Sequence, residues 1–102
     1  MSELGDLKRD YRTALLRYLV RRDEAALHTG YVIGRSALAH GLSILDLAQV
    51  HHRVLVEVME QGPDDCVAVA RGASEFFLDV LSTYDMTYRV LQEERSGAEP
   101  VG

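Results

Sequence analysis

The chain has 102 residues, of which 47% are hydrophobic and 26% charged, and its formal net charge at pH 7 is −5. This length and composition are typical of one globular domain and exclude disorder over most of the chain. The 16 acidic residues outnumber the 11 Lys and Arg, and no basic cluster exceeds Arg21-Arg22, which argues against nucleic-acid binding.

The cysteine content and the hydropathy pattern indicate where the protein resides. Cys66 is the only cysteine, so no internal disulfide forms, which fits a reducing compartment. The first residues, MSELGDLKRDY, are polar and charged, unlike a signal peptide. No apolar run approaches the roughly 20 residues that a membrane span needs. We therefore expect a cytoplasmic protein that does not enter the membrane.

Apolar residues at steps of three and four predict a first helix from about Glu3 to Val20. Arg21 and Arg22 follow at its C-terminal end, where cations interact favourably with the helix dipole. The apolar stripe of this helix comprises Leu4, Leu7, Tyr11, Ala14, Leu15, Tyr18 and Leu19.

A second helix is predicted from the cap residue Asp23 to about His40, with Gly41 beyond it as a stop. Gly30 and Gly34 lie one helical turn apart within this helix. Each costs about 1 kcal/mol relative to Ala in a helix interior, so the pair needs an explanation. We favour close packing against a neighbouring helix, and a ligand-binding notch is the alternative. One stripe of this helix comprises Leu27, Tyr31, Gly34 and Leu38. A second set of small and apolar residues lies beside it and comprises Ala26, Gly30, Ile33 and Ala37.

The third helix has the best-marked start. Ser43 at the N-cap and Asp46 three residues later form a short capping box. The helix continues through Glu60 and stops at Gly62-Pro63. Its apolar stripe comprises Leu47, His51, Val54, Leu55 and Val58.

The fourth helix is predicted from Asp64 and Asp65 to about Glu94, with Gly72 as a candidate position for a kink or a split. About 30 residues span about 45 Å, against about 27 Å for each of the other helices. The last turns therefore extend past the rest of the domain. The predicted stripe comprises Ala70, Ala73, Phe77, Val80, Tyr84 and Leu91, joined by Val67, Leu81 and Tyr88.

Four helices with short loops predict an all-α protein, an antiparallel four-helix bundle with a long C-terminal helix. We assign residues 1–95 to one helical regulatory or interaction domain and residues 96–102 to a flexible tail or the start of a linker. The extended end carries Tyr84, Met86, Tyr88 and Leu91. An apolar overhang on so small a domain needs a partner, which is a second copy, another domain or another protein.

The histidines do not form a metal-binding pattern. Zinc-binding helices pair histidines four residues apart, and His28, His40, His51 and His52 never differ by four. Di-iron bundles use Glu-x-x-His, and no glutamate stands three residues before any of these histidines. We predict no metal and no cofactor. His51 falls on an apolar stripe and is expected to pack in or near an interface, whereas His52 is expected to face outward.

Catalytic patterns are equally weak in this sequence. Cys66 stands in a first helical turn, where a thiolate is favoured, but no histidine is near it in the chain. The sequence has no glycine-rich phosphate loop and no G-x-S-x-G motif. We therefore predict a binding module and not an enzyme.

Two segments resemble the N-terminal regulatory domain of RsbU, the serine phosphatase of bacterial general-stress signalling. They are LHTGYVIGRSALAHGLSILDLAQVHHRVL, residues 27–55, and ASEFFLDVLSTYDMTYRVL, residues 73–91. The resemblance extends from about Tyr11 to Leu91. The matching positions are Tyr31, Gly34, Arg35, Leu45, Asp46, Leu47, His51, His52, Phe76, Phe77, Asp85, Met86 and Arg89.

This resemblance implies a four-helix bundle that dimerises and serves as a docking platform. In the family, a switch serine kinase (RsbT-like) binds this domain and activates the attached PP2C-type phosphatase, in partner-switching control of a sigma factor. A phosphatase module needs about 200 more residues and paired metal-binding aspartates, which these 102 residues do not contain. The sequence thus represents an excised regulatory domain or a stand-alone relative, and the expected partner is a serine-kinase-type regulatory protein.

The candidate interface residues lie on the second and third helices and on the overhanging end of the fourth helix. We also predict that Arg35 pairs with Asp46 or reaches His51 across the turn at Gly41. Two alternatives stay open: a small-molecule or signal sensor with a pocket at Gly30 and Gly34, and a purely structural dimerisation element. The candidate partner or dimer interface comprises Tyr31, Gly34, Arg35, Leu38, His51, His52, Tyr84, Met86, Tyr88 and Leu91.

Overall fold

The computed structural model describes residues 3–98, and four helices account for 88% of these residues, with no strand among them. They are α1 (Glu3–Arg21), α2 (Glu24–Ala39), α3 (Ile44–Glu60) and α4 (Cys66–Ala98). The predicted all-α class and the long C-terminal helix are confirmed. Of the predicted tail at 96–102, residues 96–98 continue α4, and residues 99–102 lie outside the described residues.

The predicted helix starts are confirmed by the hydrogen bonds at the caps. Asp23 accepts a hydrogen bond from the Ala26 amide at 2.8 Å and caps α2. Ser43 and Asp46 form the reciprocal capping box of α3, with distances of 3.1 and 2.9 Å. Gly41 has a φ of +74°, a left-handed conformation that suits glycine after the end of a helix.

The hydrophobic core lies between all four helices, and α4 contributes Phe76 to its centre. Phe77, which the predicted stripe includes, is half-buried and packs against the core, but the stripe omits Phe76, which is fully buried. The predicted stripe also includes Ala70, which is exposed. The largest fully buried side chains are Tyr11, Leu15, Leu47, Val54, Phe76 and Val80.

The small residues of α2 allow it to pack closely against α4, which is its most extensive neighbour. A Cβ added at Gly34 would lie 2.5 Å from the Val80 carbonyl oxygen, and one added at Gly30 would lie 3.2 Å from Phe76. The close-packing interpretation is therefore confirmed. The alternative of a ligand notch at the two glycines is wrong, since α4 fills the space.

Gly72 does not split α4, which is one continuous helix from Cys66 to Ala98. This glycine is buried under the end of α1, where an added Cβ would lie 2.7 Å from both Arg22 and Leu19. The Arg22 guanidinium donates to Glu75 at 3.0 Å and so fastens the α1–α2 turn to α4. The missing side chain makes room for these contacts.

Candidate protein-interaction surface

An open groove of about 490 Å³ lies between the outer side of α2 and the last turns of α4. We call it the α2–α4 groove. Its lining is mainly apolar, and Tyr31 and Val32 are 41% and 52% exposed. Four predicted interface residues contribute to it. The lining residues are Tyr31, Val32, Arg35, Ser36, Leu38, Ala39, Thr87 and Leu91.

The last turns of α4, from about Asp85 to Ala98, are here called the free end of α4, and they continue the apolar surface of the groove. The helix is 33 residues long and extends along a molecule whose longest dimension is 60 Å. Met86, Tyr88 and Leu91 are 65%, 47% and 50% exposed, so three predicted overhang residues do leave apolar surface in solvent. Val90, which the sequence interpretation did not include, is 52% exposed beside them.

Arg35 does not make the contacts predicted for it. Its guanidinium donates to the Tyr31 hydroxyl at 3.4 Å and lies 5.8 Å from the centre of that ring. Asp46 is held by the Ser43 amide in the capping box, and His51 is engaged with Tyr11. The predicted pairing with Asp46 or His51 is therefore wrong. Arg35 lies on the exposed side of α2, one turn from Tyr31, where a local contact is within easier reach.

Two predicted interface residues lie inside the bundle. Gly34 is covered by α4, and Tyr84 is only 8% exposed. The Tyr84 hydroxyl donates to the Leu42 carbonyl at 2.7 Å, which ties the loop between α2 and α3 to α4. Burial raises the pKa of this phenol, so it stays protonated as a donor. Both residues hold the walls of the groove in place from within.

His51 and His52 lie on α3, apart from the residues that line the α2–α4 groove. His51 is half-buried, its ring stacks on Phe77 with centroids 4.1 Å apart, and its Nδ1 lies 2.6 Å from the Tyr11 hydroxyl. Burial, and secondarily the neighbouring His52, lowers the pKa of His51. His52 is exposed beside Val56 on the outer surface of α3. An interface role for either histidine stays a prediction.

Potential metal ligands and the single cysteine are among the described side chains that bear on metal binding and nucleophilic chemistry. Within residues 3–98, no group of three or more His, Cys, Asp or Glu side chains could hold a metal ion. Cys66 is exposed, and its sulfur lies 3.8 Å from the Pro63 carbonyl oxygen. No helix in this part of the chain is long and apolar enough to cross a membrane.

Sequence comparison places this helical domain in a family of regulatory modules. The family described as "Phosphoserine phosphatase RsbU, N-terminal domain" matches residues 9–87. Because this match covers more than half of the chain, the protein belongs to the RsbU N-terminal domain family. The family represents the N-terminal domain of the phosphatase and not its catalytic domain. No curated protein and no solved structure matches the chain significantly.

The family match and the exposed surface overlap only in part. The matched region includes α2 and the groove residues up to Thr87, but it ends before Tyr88, Val90 and Leu91. The sequence interpretation missed Val32 and Val90 because it followed the stripes that face the core. The signal that could have found them is a second set of apolar residues on the outer side of each helix.

Proposed function

We propose that this chain is a non-catalytic regulatory domain that forms a homodimer and docks a switch serine kinase. The docked kinase would activate a PP2C-type phosphatase in partner-switching control of a sigma factor. The observation that carries the proposal is the apolar surface formed by the α2–α4 groove and the free end of α4. Membership of the RsbU N-terminal domain family supports the regulatory role.

Exposed apolar area of this kind favours association. Three neighbouring side chains of α4, Met86, Val90 and Leu91, are each at least half exposed. Fully burying a Leu or Met side chain contributes about 1.5–3 kcal/mol, so a few such residues supply a substantial part of a binding free energy. The connections between the helices are two, four and five residues long, which favours antiparallel neighbours in the bundle. The proposed role places the domain in the cytoplasm.

The first test is the solution mass of the purified chain, measured by light scattering over a dilution series. A mass of about twice 11.4 kDa is expected for the wild type. Leu91→Asp places a charge on the proposed surface and is expected to shift the mass toward the monomer. Leu78→Asp is the matched control, because Leu78 is also on α4, is 62% exposed and does not line the groove. Equal masses for both variants and the wild type would contradict a role for this surface in dimerisation.

The second test measures docking by calorimetric titration with a purified switch serine kinase of a partner-switching system. Saturable binding to the wild-type domain is expected, and Leu91→Asp is expected to weaken it at least tenfold, because this variant disrupts the dimer that serves as the docking platform. Leu78→Asp is expected to bind like the wild type. Absence of binding to the folded wild-type domain would leave a structural dimerisation element as the better description of the protein.

A further inference from the structure

Arg35 is the one charged side chain among the residues that line the α2–α4 groove. It contacts Tyr31 and makes none of the ion pairs found among the described residues. A guanidinium prefers a carboxylate, with which it forms charge-assisted hydrogen bonds. The groove therefore suits an occupant that combines apolar side chains with one acidic group.

The free end of α4 has this composition. At 100° per residue, Met86, Val90, Leu91 and Glu94 fall on one side of the helix, together with Thr87. Asp85 and Arg89 fall on the other side, where they form an ion pair at 3.1 Å. Glu93 lies at the edge of the apolar side, about 20° from Met86. Glu94 is exposed and is the acidic residue nearest the middle of the apolar side.

We propose that the free end of α4 of one protomer lies in the α2–α4 groove of a second copy, where Glu94 meets Arg35. This inference rests on the homodimer proposed above and names its contact surface. In a two-fold dimer the same contact forms twice, because each protomer supplies both a groove and a helix end.

The lengths of the two surfaces agree with this arrangement. The groove residues of α2 run from Tyr31 to Ala39, and the apolar side of α4 runs from Met86 to Glu94. Each covers nine residues, or about 13 Å of helix. Neighbouring contacts place Arg35 near the level of Tyr84 on its own α4. An antiparallel partner helix brings Glu94 to that level when the two-fold axis passes at the level of residue 89, midway between Tyr84 and Glu94.

The test is a charge exchange, read as the dimer dissociation constant from light scattering over a dilution series. Arg35→Glu and Glu94→Arg are each expected to raise this constant at least tenfold, since each places like charges together at both copies of the contact. The double variant is expected to return within about threefold of the wild type. Both residues are exposed, so the fold is expected to survive, and circular dichroism checks this directly.

Matched controls separate the contact from a general effect of charge. Asp85→Arg makes the same charge change on the opposite side of α4, and Arg17→Glu reverses an exposed arginine of α1. Both are expected to dimerise like the wild type. A wild-type dimer that neither Arg35→Glu nor Glu94→Arg weakens, or single variants that the exchange does not rescue, would overturn this inference and leave the dimer standing. A monomeric wild type would overturn the proposed dimer itself.

Discussion

At the scale of single residues, the contact between Tyr11 and His51 joins α1 to α3 at the edge of the core. Tyr11 is fully buried, and its hydroxyl lies 2.6 Å from Nδ1 of the half-buried imidazole. Burial raises the pKa of Tyr11, which keeps the phenol protonated. A neutral His51 accepts the phenol proton at Nδ1, and protonation of the ring removes this acceptor. The stability of the fold should therefore respond to the charge of one histidine.

The sign of this response follows from the lowered pKa of His51. The unfolded chain takes up the proton near the ordinary pKa of about 6.5, and the folded chain does so only at lower pH. The stabilisation is fully present above about pH 6.5 and is lost as the pH falls through the pKa of the folded state. We compare the free energy of unfolding of the wild type with that of His51→Asn. The difference between the two is expected to be largest above about pH 6.5 and to decline toward pH 5.

The control for this prediction is the adjacent histidine. His52 is exposed, and its charge is the smaller of the two causes that lower the pKa of His51. We expect His52→Asn to keep most of the pH dependence in urea titrations at several pH values. A difference between the wild type and His51→Asn that stays constant from about pH 5 to pH 8 would show that this ring does not link pH to stability.

For residues such as His51 and Arg35, the sequence predicts the side of the helix on which they lie, but not which residues they contact. The apolar stripe of α3 placed His51 near packed surface, in agreement with its half-buried position. Its partner Tyr11 is 40 residues away on another helix. Helical periodicity predicts which side of a helix a residue occupies, but not which residue of another helix it contacts. The wrong pairing of Arg35 with Asp46 has the same origin, because it was inferred from proximity in the chain.

At the scale of helices, the closest approach of α2 to α4 occurs at Gly34. A Cβ there would meet three atoms of α4, and the nearest is a backbone carbonyl oxygen that cannot move aside. We expect Gly34→Ala to destabilise the fold by about 1–3 kcal/mol, because overpacking outweighs the gain in helix propensity. Urea unfolding measures this free energy.

Gly30→Ala is the comparison variant on the same helix. Its added methyl group would lie 3.2–3.3 Å from side-chain atoms of Phe76, Val80 and Asp79, which can adjust. The gain of about 1 kcal/mol in helix propensity then offsets most of the crowding. We expect a much smaller change than for Gly34→Ala. Equal effects of the two variants would mean that the backbone contact does not set the helix spacing.

The capping box of α3 gives a second prediction at this scale. Ser43→Ala removes the hydroxyl that accepts from the Asp46 amide at 3.1 Å. We expect the free energy of unfolding to fall by about 1 kcal/mol, the usual cost of losing an N-cap side chain. Ser82→Ala is the control, since Ser82 is exposed within α4 and caps no helix. Thermal or urea unfolding of the two variants gives the comparison, and equal stabilities would contradict the prediction.

The four helices follow closely from the sequence because their starts and stops are chemically marked. Asp23, Ser43 and Gly41 define boundaries that the structure reproduces. The predicted stripe of α4 omitted Phe76 because adjacent apolar residues fit neighbouring stripes equally well. Gly72 was misinterpreted because its function is to make room for Arg22, a contact that depends on the packing of α1.

At the scale of the whole molecule, the proposed dimer makes thermal stability depend on protein concentration. Association that occurs only in the folded state raises the apparent melting temperature as concentration increases. We expect this increase for the wild type over a hundredfold concentration range in calorimetry. Leu91→Asp should melt at nearly the same temperature throughout that range. A wild-type melting temperature that does not change would argue against a dimer coupled to folding.

The candidate surface was only partly accessible to sequence reasoning. The length of α4 predicted an overhang, and the exposed Met86, Tyr88 and Leu91 agree with it. The groove forms only when α2 and α4 are correctly positioned along each other. The close contact of Gly34 with the Val80 carbonyl sets this relative position. For the same reason the sequence could not show that Tyr84 turns inward to the loop at Leu42.

The unbroken course of α4 has a mechanical consequence. Its first half is packed in the bundle and its last turns, from about Asp85 to Ala98, extend about 20 Å beyond Tyr84. With no proline or interruption between the two parts, α4 acts as a lever. A tilt of about 5° at the core displaces the far end by about 2 Å, a shift of the size that moves packed helices from one arrangement to another. A rearrangement of the core around Phe76 that tilts α4 would therefore be amplified as a displacement of its last turns.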